Sequence, residues 1–129
     1  MSTIIATTFS NGSVSVPTAT VVNGSAKAWA SYSNTATATI DNSLNVSSIT
    51  DNGVGDATFG FSTSFSSAAY ASPVDNHGNA VGNSNAYIGS TRSNTKSAST
   101  VRCVSVYDPG TVTGNDGDNQ SFVCMGDLA

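Results

Sequence analysis

The stretch Asn45-Val46-Ser47-Ser48-Ile49-Thr50-Asp51-Asn52-Gly53-Val54-Gly55-Asp56 decides how this chain is read. Asn45 to Thr50 alternate, with Val46 and Ser48 toward one face and Asn45, Ser47 and Ile49 toward the other. A period of two is the mark of a strand. Asp51-Asn52-Gly53 then supplies residues that tolerate positive φ, as a hairpin turn requires. The spacing predicts a strand over 43–50 that runs into a tight turn.

The same grammar extends to both sides. Ala26 to Tyr32 alternates, placing Ala28, Ala30 and Tyr32 on one face and Lys27, Trp29 and Ser31 on the other. Trp29 reads as a core anchor. Thr35 to Ile40 is nearly a pure Thr–Ala alternation and reads as a half-buried strand of small residues. Phe59, Phe61 and Phe65 keep one phase, and further strands are expected over 66–71, 86–89, 100–107 and 120–125. Asn23-Gly24, Asp41-Asn42, Ser72-Pro73 and Asp108-Pro109-Gly110 are turn signals between them, and Gly/Asn-rich loops fill 74–83 and 111–119. Short strands with turns about every 8–12 residues predict an antiparallel β-sandwich, of jelly-roll or Greek-key kind, over residues 26–129.

Residues 1–25 read differently. Two extended runs, Thr3 to Phe9 and Ser13 to Val22, flank Asn11-Gly12, and Pro17 interrupts the second. Proline within a strand pattern favours an edge or an arm over a central strand. This segment is expected to be an extended N-terminal arm. Its apolar residues Ile4, Ile5, Val14 and Val16 would meet a partner, completing a sheet by strand addition.

Composition sets the limits on function. The chain has 129 residues, lacks glutamate, and has leucine only at Leu44 and Leu128. Good helix formers other than Ala are scarce, while β-branched and turn-forming residues abound, so an all-β fold follows. A core of mostly small side chains favours association between copies. Charged residues are 9% of the chain, with a net charge of −4, and the basic ones are Lys27, Arg92, Lys96 and Arg102. Nucleic-acid binding and attachment to anionic membranes both need clustered Lys and Arg, so neither partner is expected. No run approaches the roughly 20 apolar residues of a membrane span. Met1-Ser2-Thr3-Ile4-Ile5 lacks the basic start and apolar core of a signal peptide, which points to synthesis in a cytosol.

Few groups suggest chemistry. Asp116 and Asp118, within Asn115-Asp116-Gly117-Asp118-Asn119, place oxygen ligands at alternate positions. They read either as a solvated hairpin loop or as a weak Ca²⁺ loop. Asp51 and Asp56, with the glycines between them, read as a turn. Ser72, Asp75 and His77 lie too close together in one loop for their spacing to define a triad. No catalytic residue and no cofactor is expected. Cys103 and Cys124 have two readings. They are buried thiols of a reduced protein, or they are a disulfide across a hairpin of 101–107 and 120–125, whose symmetric register puts Cys103 opposite Cys124. Trp29, Tyr32, Tyr70 and Tyr87 could form an aromatic surface for a sugar, or they could pack in the core and between subunits.

The run from Asn45 to Asp56, with Ala26-Lys27-Ala28-Trp29 upstream and Tyr70 downstream, resembles a β-rich module of tailed bacteriophages. That module closes tail fibres and tailspikes and also decorates virion surfaces. The likeness covers about Ala26 to Tyr70 and is weaker at Val101-Arg102 and the last strand. It implies a trimeric β-sandwich on a virion's exterior, made in the host cytoplasm. A fibre needs an anchor and a shaft, and neither is visible here. The expectation is therefore a capsid decoration or cement homotrimer that contacts the major capsid protein and stabilises the head. The alternative is the distal receptor-binding domain of a tail fibre or tailspike, with tail proteins as neighbours and a host surface glycan as ligand.

Overall fold

The computed structural model describes residues 5–76, 87–92, 95–107 and 113–129. It is built mainly of antiparallel strands, with one short helix. The elements are β1 (Thr8–Ser10), β2 (Ser15–Pro17), α1 (Thr18–Gly24), β3 (Ala26–Ser33), β4 (Thr39–Leu44), β5 (Val46–Gly53), β6 (Asp56–Phe61), β7 (Val74–Asp75), β8 (Tyr87–Thr91), β9 (Thr100–Tyr107), β10 (Thr113–Gly114) and β11 (Gln120–Met125). In one sheet β5, β6, β9 and β10 are successive neighbours, and β8 also pairs with β9. A second sheet has the order β4-β3-β11-β7, and β1 and β2 form a separate two-stranded hairpin. No helix among the described residues is long and apolar enough to cross a membrane.

Alternation explains which side chains are buried. From β3 come Ala28, Ala30 and Tyr32, and from β11 Phe122 and Cys124. The other sheet contributes Ala57, Phe59 and Phe61 from β6, and Val101 and Cys103 from β9. All belong to one hydrophobic cluster, so the two sheets share a core. Phe59 sits between two rings of the opposite sheet, with its centroid 4.7 Å from Tyr32 and 4.7 Å from Phe122. Phe61, Phe65 and Tyr70 form a second aromatic group, in which Phe65 and Tyr70 stack at 4.3 Å. Three alanines among the inward positions leave room for these rings.

The expected strand over 43–50 is two strands in two sheets. Asn45 adopts φ 56°, and the chain crosses there from β4 to β5. Its side chain fixes the corner, because Nδ2 donates to the Thr63 carbonyl at 2.9 Å and Oδ1 accepts the Thr63 N–H at 2.7 Å. Strict alternation also fails just beyond. Val46 pairs with Phe61 but Ser48 with Gly60, so Ser47 is a bulge residue. That extra residue brings Val46 and Ile49, expected on opposite faces, into contact with the same core. The turn falls at Val54–Gly55, two residues beyond the Asp51-Asn52-Gly53 signal. Gly55 has φ 66°, and an added Cβ would run into the Ser105 carbonyl oxygen and the Asn115 amide.

Other expectations also shift. Ala36 has φ 62° and breaks the 35–40 alternation, so β4 starts only at Thr39. Residues 66–71 form no strand, although isolated bridges tie Phe65 to Leu128 and Ala71 to Met125. Residues 13–22 are not extended throughout, since α1 begins directly after Pro17. Proline cannot donate to a ladder, but its φ of −56° suits a helix start. The predicted hairpin of 101–107 with 120–125 does not form, because β9 and β11 lie in different sheets.

Phe59→Ala is expected to cost about 3–5 kcal/mol in chemical denaturation, since it empties the contact shared by both sheets. Val54→Ala, at a turn residue that is 66% exposed, should change stability by less than about 0.5 kcal/mol.

Candidate functional site

The N-terminal hairpin and helix are held by local polar contacts. Asn11 Oδ1 accepts the N–H groups of Ser13 at 3.0 Å and Val14 at 2.8 Å, and Gly12 takes φ 93° at the tip. Thr18 closes the base, donating its N–H to the Thr7 carbonyl at 2.9 Å and its hydroxyl to the Ala6 carbonyl at 2.6 Å. At the other end of α1 the Lys27 ammonium reaches the Val22 carbonyl and the Ser25 hydroxyl. A cation there complements the helix C-terminus.

Several apolar side chains of this segment are exposed among the described residues. Ile5 is 93% exposed, Val14 64% and Phe9 52%, and Val21 and Val22 are also exposed. Val16 is half-buried, and α1 buries no residue. Ile4 lies outside the described residues. No charged side chain occurs before Lys27. The segment is thus an uncharged, partly apolar surface that contributes nothing to the shared core.

The outer face of the four-stranded sheet carries a second apolar feature. Leu44, Trp29 and Val123 are consecutive cross-strand partners on β4, β3 and β11. Leu44 is exposed, while Trp29 and Val123 are half-buried. Trp29 therefore faces outward and is not the expected core anchor, because the inward phase of β3 belongs to Ala28, Ala30 and Tyr32. Beside Val123 lies a cleft of about 190 Å³ formed with Pro73, Val74, Asp75, Ser121 and Phe122.

The remaining candidate groups are used internally. Asp116 Oδ1 accepts the Gly55 N–H at 2.7 Å, and Asp118 Oδ1 accepts the hydroxyls of Ser33 and Thr35, both at 3.1 Å. Ca²⁺ asks for six to eight oxygens. Among the described residues no three His, Cys, Asp or Glu side chains converge. The pair braces the loop against β3 and the β5–β6 turn. Cys103 and Cys124 are free, buried thiols that enter the core from opposite sheets. Burial pushes both thiols up, Cys124 to about 12, so neither is a ready nucleophile at neutral pH. Tyr32 and Tyr70 are buried, and Tyr70 donates its hydroxyl to the Thr100 carbonyl at 2.8 Å. Tyr32 and Tyr70 are therefore not part of an exposed aromatic surface. The Tyr87 side chain and His77 lie outside the described part of the structure. Ser72 donates to the Thr91 hydroxyl at 3.3 Å.

One cluster has no local sequence signal. Asp56, at the start of β6, is 8% exposed and accepts two bonds from Arg102, from Nε at 2.7 Å and from Nη2 at 2.6 Å. Asn52 donates to the same carboxylate at 3.2 Å, and the Arg92 guanidinium stands 3.5 Å away. Burial opposes the charge on Asp56, but the hydrogen bonds from Arg102 and Asn52 and the two guanidiniums together hold its carboxyl below the usual range. Arg102 and Asp56 are 46 residues apart, so only the β6–β9 pairing brings them together.

No known protein family, curated protein or solved structure matches this chain. The surfaces described above are therefore the basis for a functional reading.

A carboxyl whose pKa is lowered on folding contributes stability that is fully present above its unfolded value, near 4. That stability is lost as pH falls through the folded value. The urea midpoint should accordingly drop more steeply in the native protein than in Asp56→Asn between about pH 5 and pH 2. Parallel curves would show that the Asp56–Arg102 pair is energetically silent.

Proposed function

We propose that this chain is a non-enzymatic structural protein of a bacteriophage virion, a decoration or cement module on the capsid surface. In this reading the two sheets with a shared core form a β-sandwich, and the working unit is a homotrimer that bridges copies of the major capsid protein. The observation that carries the proposal is the N-terminal segment. A chain this poor in large aliphatic residues leaves Ile5, Phe9, Val14, Val21 and Val22 outside its core. Apolar area of that kind gains by burial against a partner, at roughly 25 cal/mol per Å² removed from water.

The sequence likeness of Asn45–Asp56 to phage surface modules supports the virion setting. Placement of Tyr32 and Tyr70 in the core favours decoration over the alternative of glycan binding at a tail tip, because the aromatic platform for a sugar is not assembled among the described residues. A module that grips several capsid subunits at once gains through effective concentration, so modest contacts add up to a stable clamp.

Quantitative gel analysis of particles that carry this chain should find it in copy numbers comparable to the capsid protein. Stripping it should lower the temperature at which the particles release their genome. A handful of copies per particle, with lost host adsorption on removal, would overturn the cement reading in favour of the tail.

A further inference from the structure

We infer that Asn11 is a site of self-modification, at which the backbone nitrogen of Gly12 displaces ammonia from the Asn11 side chain. The chain has three Asn-Gly pairs, beginning at Asn11, Asn23 and Asn52. In each, the second residue lacks a Cβ that would shield its nitrogen from the side-chain carbonyl carbon. Hydroxide removes the Gly12 amide proton, and the nitrogen bonds to Asn11 Cγ. The Cγ–Nδ2 bond breaks, and ammonia leaves with a proton taken from water. Water then opens the cyclic imide at either carbonyl, which leaves aspartate or isoaspartate at position 11. Water is the only co-reactant.

The structure separates the three pairs. At the hairpin tip, Asn11 Oδ1 already accepts the N–H groups of Ser13 at 3.0 Å and Val14 at 2.8 Å. These donors face the oxygen on which negative charge develops during attack, as donors to an oxyanion do in acyl transfer. The Gly12 N–H meets the Ser10 hydroxyl at 3.1 Å. That hydroxyl donates to the Val14 carbonyl at 3.2 Å, and it can turn to donate to the nitrogen once the amide proton has left. An added Cβ at Gly12 would find nothing within 4 Å, so water reaches the tip. Asn23 and Gly24 instead belong to α1, and ring closure would require Asn23 to abandon its helical ψ, about −42° in a regular helix. At Asn52 the amide nitrogen is pinned by Thr58 Oγ1 at 2.8 Å and Asp56 Oδ1 at 3.2 Å, and the Gly53 N–H by the Asp51 carboxylate at 2.8 Å. A nitrogen anion beside a carboxylate is disfavoured. Reaction at Asn11 puts a negative charge into a segment with no charged side chain before Lys27, whether or not that segment meets a capsid.

The test follows all three pairs by peptide mass mapping while the full-length protein is held at mildly alkaline pH, folded and in guanidinium chloride. Unfolded, the three should react at comparable rates, because the dipeptide is the same. Folded, Asn11 should keep its unfolded rate or exceed it, while Asn23 and Asn52 slow by about tenfold or more. The Asn11 peptide should yield both aspartate and isoaspartate. A folded Asn11 that reacts as slowly as folded Asn52 overturns the inference, because its two N–H bonds then lock the side chain instead of activating it. A product that is aspartate alone also overturns it, since direct hydrolysis by water leaves the backbone nitrogen uninvolved.

Discussion

The contact on which the structure depends is Phe59 between Tyr32 and Phe122. It joins β6 of one sheet to β3 and β11 of the other, with ring centroids 4.7 Å apart on both sides. In most β-proteins many aliphatic side chains share this task. Here both leucines are substantially exposed, and the inward positions of β3 and β6 include three alanines. A few rings therefore supply most of the buried area, and edge-to-face geometry adds a directional component. The small neighbours are a consequence of this arrangement, since larger residues at Ala28, Ala30 or Ala57 would occupy the space the rings need.

The second constraint is the corner at Asn45. A strand that continued straight from β4 would stay in the four-stranded sheet. The positive φ of Asn45 and its two bonds to Thr63 turn the chain into the other sheet. The bulge at Ser47 then restores both Val46 and Ile49 to the core. Farther on, Gly55 passes so close to Ser105 and Asn115 that only glycine fits. Its N–H is held by Asp116, which couples the β5–β6 turn to the loop before β11. Asp116 thus braces a backbone N–H of its own chain, and Asp118 the hydroxyls of Ser33 and Thr35.

A linear reading recovers β3, β6, β9 and β11, because each alternates without interruption and buries one phase. β4 and β5 are misjudged because a left-handed residue at Asn45 and register shifts along both strands leave the composition of the run unchanged while changing which face its residues take. The helix after Pro17 is missed because Thr-Ala-Thr-Val-Val carries strand propensity, and local hydrogen bonds rather than propensity decide it. Among candidate site residues, Ile5 and Val14 are exposed. The outward turn of Trp29 does not follow from alternation alone, which gives two faces but not which of them is buried. The Asp56–Arg102 pair is invisible along the chain, because strand pairing between distant segments creates it.

The four basic residues bear on how such a chain can recognise anything. Arg102 and Arg92 face Asp56, and Lys27 donates to the Val22 carbonyl at the end of α1. Lys96 donates to the Tyr70 carbonyl at 2.7 Å and lies 4.5 Å over the Tyr70 ring. Each cation thus already has a partner within its own chain. Long-range steering and charge pairing across an interface are correspondingly weak levers for this protein. Shape and apolar contact remain, and both are concentrated on the uncharged N-terminal segment and the outer row of Leu44, Trp29 and Val123. At those two places burial yields free energy without desolvating a charge.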